Sequence, residues 1–109
     1  MGKKPTDALA DLGRFSEPAL LILISLAEGP KHGYAMTQDI QVMSGQRLGP
    51  GTLYGAIARL EDRRWIEPLP AEDRRRPYKL THSGQKVLRA RLEGLRAVTR
   101  VGHARLAEN

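Results

Sequence analysis

Hydrophobic positions in this chain change their spacing several times, and each change marks an element. Ala19-Leu20-Leu21-Ile22-Leu23-Ile24 is unbroken, with Leu26 and Ala27 just beyond Ser25. A helix of that composition is apolar on every face and must be covered on all sides. Ser16 is the expected N-cap, with Glu17 and Pro18 in the first turn, where an acidic residue suits the dipole and proline has no bond to lose. The helix should span about residues 17–28 and stop at Gly29-Pro30. Upstream, Leu9, Leu12 and Phe15 recur every third residue, which predicts a short helix capped by Thr6-Asp7 and weakened by Gly13; residues 1–5 read as a solvated tail.

Gly33 opens a second helix over residues 34–44, with Tyr34, Met36 or Thr37, Ile40 and Met43 or Ser44 near helical spacing, and Gly45 ends it. The turn Leu48-Gly49-Pro50-Gly51-Thr52 leads into a third helix, whose stripe Leu53, Ala56, Ile57, Leu60 follows the i, i+3, i+4, i+7 rule. Its opposite face, Thr52, Gly55, Ala58, Arg59 and Asp62, is small at the start and charged further along. Past Arg64 the pattern shortens to two strands, Trp65-Ile66-Glu67 and Tyr78-Lys79-Leu80, enclosing Arg74-Arg75-Arg76. This is a hairpin with a basic tip. From Thr81, a fitting N-cap, a fourth helix carries Leu88, Leu92, Leu95, Val98 or Thr99, and Leu106 along one side.

Composition narrows the classes. The chain has 109 residues, room for one compact domain, and 40% hydrophobic content, enough for a modest core. Cysteine is absent, which removes disulfides, thiolate metal sites and cysteine nucleophiles. The histidines His32, His82 and His103 share no ligand spacing, so no metal or other cofactor is expected. No apolar run approaches the roughly 20 residues of a membrane span, and no signal sequence follows the basic N-terminus. A soluble, cytoplasmic protein is the expectation. A net charge of +6 favours polyanionic partners, since each phosphate neutralised releases a condensed counterion.

Three helices, a hairpin and a further helix in a small basic chain describe a winged helix-turn-helix. The expected fold is mainly α with a small β-hairpin: a tail and short helix over residues 1–15, a DNA-binding domain over 16–80 and a C-terminal dimerisation helix over 81–109. The third helix is thin enough on its outer face for a major groove about 12 Å wide, while the hairpin tip sets arginines on the backbone.

The sequence here resembles the PadR-like transcriptional regulators. The resemblance lies in Leu26-Ala27-Glu28-Gly29-Pro30-Lys31-His32-Gly33-Tyr34, Leu48-Gly49-Pro50-Gly51-Thr52-Leu53-Tyr54, Arg59-Leu60-Glu61 and Arg74-Arg75-Arg76-Pro77-Tyr78-Lys79-Leu80-Thr81 with Gly84. It implies a homodimeric repressor that binds double-stranded DNA, often in response to a small-molecule effector. The absence of aromatic residues after Tyr78 argues against an aromatic stacking pocket for such an effector, leaving an aliphatic one between subunits open. Where the family usually has glycine after the recognition helix, this chain has Arg64, which in a left-handed conformation would cost about 1 kcal/mol.

The candidate DNA contacts are Lys31, Gly33, Tyr34, Gly51, Thr52, Tyr54, Gly55, Arg59, Arg74, Arg75 and Arg76. Tyr34 either meets a phosphate at the helix N-terminus or simply packs, and Arg59 either touches DNA or is solvated or paired. Gly51 and Gly55 are expected to permit close approach. About 29 residues of last helix would reach ~43 Å, beyond a body about 30 Å across, so a partner is expected. The all-apolar first helix strengthens that expectation, and Leu9, Leu12, Phe15, Leu88, Leu92, Leu95, Val98 and Leu106 are the candidate seam. A non-specific nucleoid protein is the alternative reading. A winged-helix adaptor would not need the wing arginines, and no nucleophile with base, paired carboxylates or metal set exists for an enzyme.

Overall fold

The computed structural model describes residues 8–108. A 3₁₀ segment, Ala8–Phe15, leads into α1 (Ser16–Ala27), β1 (Lys31–His32), α2 (Gly33–Ser44), α3 (Pro50–Asp62), β2 (Ile66–Pro68), β3 (Pro77–Leu80) and α4 (His82–Ala107). The expected Thr6-Asp7 cap lies outside the described residues. Ser16 is the first helical residue of α1; the N-cap position falls to Phe15, with no side-chain cap bond. The 3₁₀ segment ends directly against α1, so no extended linker residue is present to cap it.

Helix α1 is the centre of the domain. The 3₁₀ segment, α2, α3, α4 and β3 all pack on it, which leaves Ala19, Ile22 and Leu23 without solvent contact. Most of its apolar surface is thus covered by its own chain, with Leu20 and Ile24 partly buried, and the expectation that the helix as a whole demands a partner is corrected. Leu9, Leu12 and Leu88 join the same core, together with Met36, Ile40, Leu53, Leu60 and Ile66. Helix α2 is capped at its start by His32, whose Nδ1 accepts from the Ala35 N–H at 3.4 Å, and at its end by Gly45 in the left-handed region.

The sheet has three antiparallel strands in the order β1-β3-β2, one more than the periodicity suggested. Lys31 and His32 pair with Tyr78 and Pro77, while Ile66, Glu67 and Pro68 pair with Leu80, Lys79 and Tyr78. At the wing tip Glu72 and Arg75 exchange both backbone hydrogen bonds at 2.7 Å. Asp73 and Arg74 between them have φ of 46° and 68°. Positive φ at both central residues defines a type I′ turn, the two-residue loop whose twist matches that of the strands.

Helix α3 ends in a Schellman motif: the Arg64 N–H donates to the Glu61 carbonyl at 2.9 Å and the Trp65 N–H to the Leu60 carbonyl at 3.0 Å. Arg64 is left-handed, φ 60°. The next step joins three elements. Thr81 donates its N–H to the Trp65 carbonyl at 3.0 Å and its hydroxyl to the Arg64 carbonyl at 2.7 Å. The same hydroxyl oxygen accepts from the Gly84 N–H at 3.0 Å, capping α4. Gly84 sits so close that a Cβ there would stand 2.0 Å from the Trp65 carbonyl oxygen.

Two substitutions should move stability in opposite directions. Arg64→Gly relieves the left-handed strain and should raise stability by about 0.5–1 kcal/mol, reduced from the full steric cost by glycine's extra unfolded-state freedom. Gly84→Ala forces α4 off the hairpin and should cost about 2–3 kcal/mol, as overpacking does. Urea unfolding of both variants checks the signs.

Candidate nucleic-acid interface

Helix α3 starts at Pro50 with Gly49 as N-cap, which offers no side-chain acceptor, so the first-turn N–H groups of the helix are left to other partners. Its buried side is the predicted stripe, Leu53, Ala56, Ile57 and Leu60. Gly51, Thr52, Tyr54, Ala58 and Arg59 are exposed. Tyr54 reaches across to the start of α2, where a Cβ on Gly33 would lie 2.5 Å from its hydroxyl oxygen. Tyr34, 63% exposed, accepts a hydrogen bond from Gln38 Nε2 at 3.0 Å.

The wing faces these tyrosines. His32, Gly33, Tyr34, Tyr54, Arg74, Arg75, Arg76 and Tyr78 line one open cleft of about 300 Å³. The arginines are held differently. Arg76 Nη1 donates to the Leu69 carbonyl at 2.8 Å and ties the two arms of the hairpin together. Arg75 Nη1 lies 3.5 Å from His32 Nε2, bridging wing and helix α2. Arg74, at the turn itself, is exposed. Burial pushes the Tyr78 hydroxyl above its ordinary value; the negative charge of Glu61 adds to this, Arg76 opposes it, and Tyr54 adds a smaller push. Tyr78 thus remains a protonated donor beside the arginines.

Several candidate residues are placed otherwise than expected. Lys31 is turned inward: its ammonium pairs with Glu28 at 2.8 Å and with Asp39 at 3.9 Å and donates to the Ser25 carbonyl. It is spent within the fold and does not face the cleft. Gly33, although it borders the cleft, is buried beneath the Tyr54 hydroxyl, so its missing side chain makes room for a tyrosine. Gly55 is likewise covered: a Cβ there would lie 2.9 Å from the Phe15 ring. Phe15 is therefore engaged inside its own chain, with the guanidinium of Arg14 over its ring at 4.9 Å and that of Arg59 at 5.1 Å.

The expected seam is corrected in the same way. Leu9, Leu12 and Leu88 are core residues of this chain and cannot serve a partner. Leu92, Leu95, Val98 and Leu106 are exposed, and Val101 joins them. Sequence reasoning missed β1, which is too short to show alternation, and the contributions of Arg14 and Tyr78; an arginine beside an aromatic is a signal only once the ring's partner is known.

A helical core with α3 exposed and a basic wing folded toward it defines a winged helix-turn-helix protein. The model of the transcriptional regulator PadR-like family matches residues 22–90, and the chain belongs to that family. This is a family of regulators and not of enzymes. An uncharacterised 37.1 kDa protein in transposon TN4556 of Streptomyces fradiae is 48% identical over 75 residues, 69% of this chain. The chain spans only 22% of that relative's length. A transcriptional regulator from Clostridium thermocellum has a similar structure, with TM-score 0.73 at 28% identity over 86% of this chain and 96% of its own. A PadR family regulator from Clostridium difficile gives 0.73 at 25% identity, over 81% and 96%. Among the described residues, no helix is long and apolar enough to cross a membrane.

The Tyr78 environment can be read by titration. Its folded value lies above the unfolded one of about 10, so its contribution to stability is intact below pH ~10 and is lost as pH rises through the folded value. A difference ultraviolet titration against Tyr78→Phe should show one phenol ionising above 10; a midpoint at or below 10 would contradict the burial.

Proposed function

We propose that the chain is a sequence-specific DNA-binding regulator of transcription, acting as a repressor on a palindromic operator. In this reading residues 16–80 bind DNA and residues 81–109 pair two protomers. One observation carries it: the wing arginines and the tyrosines of α2 and α3 line one cleft, and the same helix α3 starts without a side-chain cap. Exposed first-turn N–H groups and arginines attract phosphate, while Gly51, Thr52, Tyr54 and Ala58 form a thin surface for the base edges. Selection of bound sequences from a random duplex library at fixed salt tests the reading. Recovery of a two-fold symmetric site supports it; enrichment of no sequence favours a non-specific nucleoid protein.

Arg74→Gly separates charge from fold, because glycine suits the left-handed position at the tip. The variant should fold at least as well as the parent, bind all duplexes less tightly, and lower the salt slope by roughly 0.9 for one lost phosphate contact. An unchanged slope would place the tip off the backbone.

Pairing is supported by α4, whose 26 residues extend about 39 Å and present Leu92, Leu95, Val98, Val101 and Leu106 to solvent. Two domains held about 34 Å apart would grip successive half-sites, the second contact being intramolecular. Leu95→Glu places a carboxylate on each side of the seam, where burying unpaired charge costs several kcal/mol. It should sediment as a smaller species that retains weak, salt-sensitive affinity and loses its preference for two-fold sites. A wild type that sediments as a monomer at micromolar concentration, with specific binding intact, would refute pairing through α4.

A further inference from the structure

We infer that Arg14 and Arg59, both laid over the ring of Phe15, form a second DNA-phosphate clamp on the flank of α3 opposite the wing. The inference rests on the DNA-binding reading above and extends it to the other strand of the groove.

The geometry starts from α3. With its buried stripe facing α1, Tyr54 and Arg59 are five residues apart and, at about 3.6 residues per turn, fall on opposite flanks of the helix. Tyr54 lines the wing cleft. Arg59 stands on the far side, with its guanidinium 5.1 Å from the centroid of Phe15. Gly55 lies between these flanks, and its missing side chain is the seat of that ring, since a Cβ there would be 2.9 Å from the ring edge. Arg14, carried by the 3₁₀ segment, lies over the same ring at 4.9 Å. One turn beyond Arg59, Arg63 lies over Trp65 at 5.6 Å.

Both arginines are exposed, and neither takes part in the ion pairs that Lys31 and Lys79 make. Two like charges gathered at one ring, neither in an ion pair with a carboxylate among the described residues, favour an anion at that ring. Stacking on an aromatic face orders a guanidinium and leaves its N–H fork free at the edge, the arrangement that binds phosphate bidentately.

Scale decides what the anion is. An α-helix with side chains is about 10–12 Å across, and the major groove is about 12 Å wide. Cations on the two flanks of a helix in that groove face phosphates of the two opposing strands. The wing supplies one side; Arg14 and Arg59 supply the other. Arg14 and Phe15 precede residues 22–90, the part of the chain that matches the family model, so half of this clamp is built by the preceding segment.

The test combines a salt titration with phosphate ethylation interference, using the full chain and the duplex recovered by library selection. The double substitution Arg14→Ala, Arg59→Ala should lower the magnitude of the salt slope by about 1.8, at roughly 0.9 per phosphate. It should weaken specific and bulk duplexes by similar factors and leave the urea midpoint near that of the parent. Phosphates whose ethylation no longer interferes should lie across the groove from those lost in Arg74→Gly. Gly55→Ala, which unseats Phe15 while keeping both charges, should weaken binding with a smaller change in slope. An unchanged slope in the double variant, or loss of the same phosphates as in Arg74→Gly, would overturn the clamp while leaving the DNA-binding reading intact. Failure of the parent protein to bind any duplex would instead remove that reading, and the clamp with it.

Discussion

The carbonyl of Trp65 is the point on which the geometry of the putting-together of α3, wing and α4 turns. It accepts from Thr81, and Gly84 has no side chain to keep α4 away from it. Next to it, the Arg64 carbonyl takes the Thr81 hydroxyl. Trp65 is buried, and a buried carbonyl without a donor costs about 1–3 kcal/mol, so its bond to Thr81 is a condition of the fold more than an addition to it. Because one threonine serves the end of α3, the root of the hairpin and the cap of α4, any change in the exit of α3 is transmitted to both the wing and the last helix. The cleft between the wing and the tyrosines of α2 and α3 is therefore fixed from its base, away from the arginines that line it.

Much of this was legible in the chain. The stripe Leu53, Ala56, Ile57, Leu60 is buried as its spacing requires, and Thr81 caps α4 as its position before a long amphipathic pattern suggests. What sequence could not supply was direction. Leu9, Leu12 and Phe15 share a three-residue spacing, yet the backbone breaks at Gly13, φ 57° and ψ −124°, so the two leucines enter the core and the phenylalanine swings onto Gly55. A periodicity argument assumes a continuous helix, and one positive φ voids it.

The charged residues show the same limit. Lys31 and Arg74 read alike in a basic chain, but Lys31 has acidic neighbours within reach, Glu28 just past α1 and Asp39 on α2, whereas Arg74 sits exposed in the wing turn and lines the open cleft. The difference lies in what each finds after folding. Glycine is equally ambiguous: Gly33 and Gly55 lie on or beside surfaces open in the linear pattern, and each admits an aromatic side chain of its own chain. Small residues on a candidate interface can thus be sockets for internal struts and need not be openings for a ligand.

The closure of the core around α1 bears on how the protein assembles. Within one protomer Ala19, Ile22 and Leu23 of the most apolar helix are already without solvent contact. If α4 pairs two protomers as proposed, dilution would separate them into units that keep this core, and newly made chains could exchange with older ones without either passing through an unfolded state. Occupancy of a two-fold site by such a pair would follow the square of protomer concentration at low abundance, which would turn a gradual change in expression into a sharper change in binding.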